Sequence, residues 1–198
     1  ANPLTLTLLR HIWKPDQPLP TRRSDLFEAF TRATLEDADE TGKMLEGVAL
    51  AVQRGQTATN EFVAKSHGFM RLARNRTAEF THELWQAYFA ARALHQAPNL
   101  EPLAEHLADP DWREVVLFYA GLGDASELVD RLVRRDSLTF AGHVIAHARA
   151  VRADLRGSVT QELMDRAWEG AAAAMAALSE MQSEVAVDAI AAKLKDKD

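Results

Sequence analysis

The sequence contains no cysteine, so disulfides, thiolate metal sites and cysteine nucleophiles are all excluded. It also lacks any apolar run approaching the roughly 20 residues that a membrane-spanning helix needs. Its start, Ala1-Asn2-Pro3-Leu4-Thr5, has no basic stretch followed by an apolar core. It is therefore no signal peptide, and reads as a chain entered in mid-domain. Glycine and proline are scarce, at nine and seven of 198 residues, and they gather at a few places. With so few helix breakers and abundant Ala and Leu, the composition favours helices.

What is present fits an ordinary soluble globular protein: 47% hydrophobic and 26% charged residues. The length allows one large or two small domains with a proper core. A cysteine-free, span-free chain is compatible with a reducing cytoplasm, and we expect a cytoplasmic protein. The net charge of −6 works against a phosphate backbone as partner, so nucleic acid is disfavoured at the global level.

Along the chain, Asn2 can cap a helix that Pro3 opens, carrying Leu4, Leu6, Leu8, Leu9, Ile12 and Trp13 to Lys14. Pro15, Pro18 and Pro20 then make an extended linker. Thr21 and Ser24 are candidate caps for a second helix with Leu26, Phe27, Phe30 and Ala33 in a 3.6-residue rhythm. Glu36–Glu40 reads as a solvated helix end or loop; it lacks the spacing and central Gly of an EF-hand. A helix over Leu45–Val52 ends at Gly55, and a short one at Thr59–His67 closes at Gly68. Phe69–Ala73 and Ala78–Thr81 flank turn-prone Asn75, which predicts the one β-hairpin of the chain. Helices then resume at Leu84–Ala97, Leu100–Leu107, Trp112–Leu122, Ala125–Arg135, Phe140–Leu155 and Val159–Trp168, followed by an Ala-rich stretch through Ala192. Breaks are expected at Asp109-Pro110, Gly121/Gly123, Asp136-Ser137, Gly157-Ser158, with a fraying tail at Lys193–Asp198.

The expected fold is mainly α: a small helical segment, a winged-helix-like unit with one β-hairpin, then α-solenoid helical hairpins of a HEAT or armadillo kind. The corresponding domains are 1–37, 38–97 and 98–198.

Motifs for chemistry are few. The only Gly-Lys, Gly42-Lys43, is followed by Met44 and has no Gly five residues earlier, so no phosphate-binding loop is present. His143 and His147 stand one helical turn apart, but Val144 occupies the place of the general-base Glu of a zinc peptidase. They read as two histidines on a helix surface. No Gly-x-Ser-x-Gly elbow occurs, and no metal site or enzyme is expected. Arg71, Arg74 and Arg76 on the hairpin could meet phosphates as a wing does, yet the preceding helix offers only Lys65 and His67, beside Glu61. A solvated or protein-contacting hairpin is the favoured reading.

Two strings rise above this background. One is Asn2-Pro3-Leu4-Thr5-Leu6-Thr7-Leu8-Leu9, with Pro20-x-Arg22-x-x-x-Leu26-Phe27 behind it. The other is Phe80-Thr81-His82-Glu83-Leu84-Trp85-Gln86-Ala87-Tyr88-Phe89-Ala90-Ala91-Arg92-Ala93-Leu94. In this order they resemble the NACHT family of STAND NTPases, where an Asn-Pro-Leu helix follows the nucleotide domain and a Phe-x-His-x-x-Phe-Gln-Glu-Tyr-x-Ala-Ala string closes a winged helix. Asp109-Pro110-x-Trp112-Arg113-Glu114-Val115 with Ala120-Gly121-Leu122 resembles the first helical repeat beyond it. Trp85 and Ala87 depart from the family's usual Phe and Glu.

The resemblance implies a regulatory segment of a signal-transduction NTPase, in signalling or prokaryotic immunity, that couples nucleotide state to autoinhibition and oligomerisation. It implies that Pro3 packs on the adenine and that His82 reaches the β-phosphate of bound ADP. No cofactor belongs to the segment itself; ADP or ATP with Mg is expected on an upstream nucleotide-binding domain, and a protein partner or self-oligomer is expected too. The alternative is a stand-alone α-helical repeat scaffold that binds another protein. A DNA-binding winged helix is third, and an enzyme last.

Overall fold

The computed structural model describes residues 3–13, 19–35, 38–97 and 99–181. They form two compact units, Ala1–Leu122 and Gly123–Asp198. The chain is mainly α, with eleven α-helices and one antiparallel hairpin among the described residues. Among the described residues, no helix is long and apolar enough to cross a membrane.

In the first unit, α1 (Pro3–Ile12) packs on α2 (Arg23–Thr34). α3 (Ala38–Gln53) and the short α4 (Glu61–Lys65) lead to β1 (Met70–Leu72) and β2 (Ala78–Phe80). Then come α5 (Glu83–His95), α6 (Glu101–Ala104), a 3-10 turn at Pro110–Trp112, and α7 (Arg113–Leu122). Pro3 sits at the first helical position, where its missing N–H has no helical partner to lose. The expected cap Asn2, the linker prolines Pro15 and Pro18, residues Glu36 and Asp37, Pro98 and the chain beyond Met181 lie outside the described residues.

Helix α5 organises this unit. Its apolar positions leave no solvent face in mid-helix: Leu84, Trp85, Ala87, Tyr88, Phe89, Ala90, Ala91 and Leu94 are all buried. It packs against α3 and α7, and its rings join a cluster with Phe27, Phe69 and Phe118. Trp85 alone meets Phe27 at 4.5 Å and Phe69 at 4.7 Å between centroids, in the tilted and edge-on geometries that ring quadrupoles favour.

Two local expectations need correction here. Neither Thr21 nor Ser24 caps α2; the cap position is Arg22, which has no side-chain cap bond. Ser24 is inside the first turn and buried, and its hydroxyl donates to Gly121 O at 2.9 Å. That bond satisfies a carbonyl of the last turn of α7, which has no helical partner of its own.

The second unit holds α8 (Ser126–Arg134), α9 (Leu138–His147), α10 (Ala153–Trp168) and α11 (Ala172–Met181). The helix expected at Phe140–Leu155 is in fact two, and the expected break at Gly157-Ser158 falls inside α10. The reason is tertiary. The segment between α9 and α10 is stitched to the start of α8: Ala125 N–H donates to Ala150 O at 2.9 Å, and Arg152 N–H donates to Ser126 Oγ at 2.9 Å. Those bonds take the backbone groups that a continuing helix would use. Gly157 meets nothing that a Cβ would disturb, so it is a tolerated helical glycine. Gly142 is different: a Cβ there would stand 2.7 Å from Leu163 Cδ1 and 3.1 Å from Ala177 Cβ. Its bare backbone lets α9, α10 and α11 close together.

Candidate functional site

The start of α5 is where sequence and structure converge on one unusual residue. Thr81 N–H donates to Phe69 O at 2.9 Å, closing the hairpin immediately before the helix. His82 then turns extended and serves as the N-cap, its Nδ1 accepting the Leu84 N–H at 3.1 Å. An accepting Nδ1 carries no proton, so the neutral ring holds its proton on Nε2. Nε2 has no hydrogen-bond partner among the described residues. The half-buried ring thus offers one donor outward from a helix N-terminus, the end at which anions are favoured.

The rest of the Phe80–Leu94 string is consumed by structure. Phe80, Trp85, Tyr88, Ala90 and Ala91 are core. Gln86 Nε2 donates to Gln53 Oε1 at 2.8 Å, and Gln53 in turn donates to Asp111 O at 2.9 Å, tying α5 to α3 and to the 3-10 turn. Arg92 Nε lies 2.9 Å from Glu46 Oε1, and Gln96 Nε2 donates to Glu46 Oε2 at 2.7 Å. Oε1 has no well-aligned donor, so the Arg92 contact is an ion pair rather than a hydrogen bond. Burial lifts the Glu46 carboxyl above its ordinary value despite Arg92 and Gln96. Burial likewise pushes the Tyr88 hydroxyl up to about 12, which suits a packing residue and not a base.

Pro3, the other expected nucleotide contact, is exposed at the start of α1, and its carbonyl accepts from Thr7 Oγ1 at 3.0 Å. No hydrogen bond or ring contact links Pro3 and His82. Gly42-Lys43 lies in the interior of α3, a helical setting with no phosphate-cradling loop. A cavity of about 660 Å³ opens beside it, lined by Met44, Phe62, Lys65 and His67 with Glu40 and Glu61.

No protein-family model, no curated protein and no solved structure matches the chain.

In the second unit the two histidines of α9 are more than surface residues. Glu180, from α11, reaches both: His143 Nδ1 pairs with Glu180 Oε2, and His147 Nε2 with Glu180 Oε1 at 2.9 Å. Burial pushes the Glu180 carboxyl up, but the bonds from His143 and His147 outweigh it and hold it below its ordinary value. The three groups bond to one another instead of converging on a point, and no trio of His, Cys, Asp or Glu among the described residues is placed to hold a metal ion. Nothing local in the sequence signals Glu180, since it comes from a helix 33 residues beyond His147.

Proposed function

We propose that this chain is a regulatory segment of a NACHT-type NTPase, in which His82 reads the phosphates of a nucleotide held by a preceding domain. The observation that carries the proposal is the uncommitted Nε2–H of His82. It lies outside the core and has no hydrogen-bond partner among the described residues, whereas Phe80, Trp85, Tyr88, Ala90 and Ala91 of the same string are buried and Gln86 Nε2 is bonded to Gln53. In this reading the element order α3, α4, β1, β2, α5 is a winged-helix-like unit, and the helices from α6 onward are the beginning of HEAT-like repeats. Pro3 offers a flat apolar face with no donor, suited to an adenine ring. ADP bound between the two would hold the segment closed, and exchange for ATP would release the His82 contact and move the winged helix.

The test uses the longer protein in which a nucleotide domain precedes Ala1. His82→Leu removes both cap and donor, and it raises basal oligomerisation and ATP turnover if the latch is real. His82→Asn keeps a strong N-cap while moving the donor, so it separates the latch from helix stability. Wild-type resting behaviour and unchanged ADP affinity in both variants would overturn the assignment. Failure of the wild-type protein to bind ADP at all, by calorimetry, would favour the stand-alone protein-binding scaffold.

A further inference from the structure

The hairpin tip carries an expense that its fold does not require. Ala73 N–H donates to Thr77 O at 2.9 Å and Arg76 N–H to Ala73 O at 3.0 Å, closing the three-residue loop Arg74-Asn75-Arg76. Asn75 Oδ1 accepts from Thr77 N–H at 3.1 Å and from Thr77 Oγ1 at 2.6 Å, so the turn is already fixed by its own side chains. Arg76 has φ of 64° and occupies the left-handed position that such loops usually give to glycine. Among the described residues, the other two non-glycine residues with positive φ are His67 and Asp136, types that are enriched there. Arginine is not. A side chain kept against the backbone preference, where glycine would serve the turn better, points to a use for that side chain.

Its surroundings say what the use is. Arg71 is neutralised across the ladder by Glu79 at 2.8 Å. Arg74 and Arg76 are exposed, and their guanidinium groups have no charged or hydrogen-bonding partner among the described residues. Leu72, two residues before Arg74, is 55% exposed. We propose that this tip docks on an acidic protein segment, with carboxylates taken by Arg74 and Arg76 and an apolar residue set against Leu72. Guanidinium forks match carboxylates in pairs. Nucleic acid is the poorer fit: two free arginines supply few phosphate contacts, and α4, at five residues, offers no helix to lie in a groove.

The probe is an array of capped peptides in which acidic content and one central Leu or Phe vary independently, read by fluorescence anisotropy against the whole chain at low salt. Binding rises with acidic content and falls when the apolar residue is removed. Arg76→Gly weakens it about tenfold, the loss of one charge-assisted contact, while the melting temperature stays equal or rises. Arg74→Ala weakens it similarly, and Glu79→Gln, which frees Arg71, strengthens it. The proposal is overturned if no peptide binds, if binding ignores acidic content, or if Arg76→Gly binds as wild type. It is equally overturned if Arg76→Gly lowers the melting temperature as it loses binding, or if duplex DNA binds more tightly than any peptide.

Discussion

In the first unit the core is a cluster of rings: Phe27 meets Trp85, Tyr88 and Phe118, and Phe69 stands edge-on to Trp85 and Phe89. In the second, the buried side chains are mostly aliphatic, Leu128, Val129 and Val144 among them, and Leu163 and Ala177 close on the bare backbone of Gly142, with polar joints at the margin. Large rings fill volume with few side chains, so one deletion opens a large void. Small residues at a close approach leave no void to open, and the vulnerable change there is an addition. The two units therefore fail in opposite ways.

The largest effect is expected from Trp85→Ala. It removes a ring shared by Phe27, Phe30, Phe69, Tyr88 and Phe89, and should destabilise the first unit by about 3–5 kcal/mol in denaturant unfolding. Hydrogen exchange resolved by peptide should show that loss in residues 3–122, and much less in the second unit. Equal loss in both would erase the distinction.

Next comes the ion pair between α3 and α5. Arg92 is partly exposed, with 30% of its side chain accessible, whereas Glu46 has 5%. Arg92→Ala leaves the buried carboxylate without its cation and should cost about 2–3 kcal/mol. Glu46→Gln leaves a cation that can turn to water, and should cost clearly less. An equal cost for the two, measured by chemical unfolding, would mean that burial does not set the asymmetry.

Gly142→Ala tests the second unit. Alanine gains about 1 kcal/mol of helix propensity. The new methyl must displace Leu163 and crowd Ala177, at about 1–3 kcal/mol. The net expectation is a loss of about 1 kcal/mol, confined by hydrogen exchange to residues 123–181. A gain in stability would show that the seam has slack.

The smallest effect is a divergence with pH. Glu46 has a raised folded value, so the folded state holds its proton more tightly than the unfolded chain does. Its contribution improves as pH falls towards 4.5 and declines as pH rises through the folded value. Glu180 has a lowered folded value. Its contribution is present above 4.5 and is lost as pH falls through the folded value. Exchange rates followed on acidification should therefore show opposite slopes from these two carboxyls. Glu46→Gln and Glu180→Gln should each flatten one of them.

Much of this architecture could be read in the sequence, and the misses share a cause. The hairpin around Asn75, the helix opened by Pro3 and the apolar faces of α5 and α7 follow from local periodicity and turn chemistry. Ser24 looked like a cap because serine often is one, but its hydroxyl was claimed by a carbonyl 97 residues away. Ala148–Arg152 looked helical because no breaker stands there, while bonds to residues 125 and 126 interrupt it. Glu180 could not be assigned to His143 and His147 because helix pairing, not spacing, brings it there. At the candidate site, the sequence singled out His82. The uncommitted nitrogen became visible only with the cap bond that fixes the other one.

The stitch between residues 124–126 and 150–152 restricts where this chain can be lengthened. Asp124 Oδ1 accepts from Ser126 N–H at 2.8 Å and from Ser126 Oγ at 2.6 Å, and the same Oγ accepts from Arg152 N–H. One hydroxyl thus serves as a two-way junction between the starts of α8 and α10. An extra residue inserted between Ala150 and Arg152 cannot keep both joints in register, although the segment looks like any surface connection.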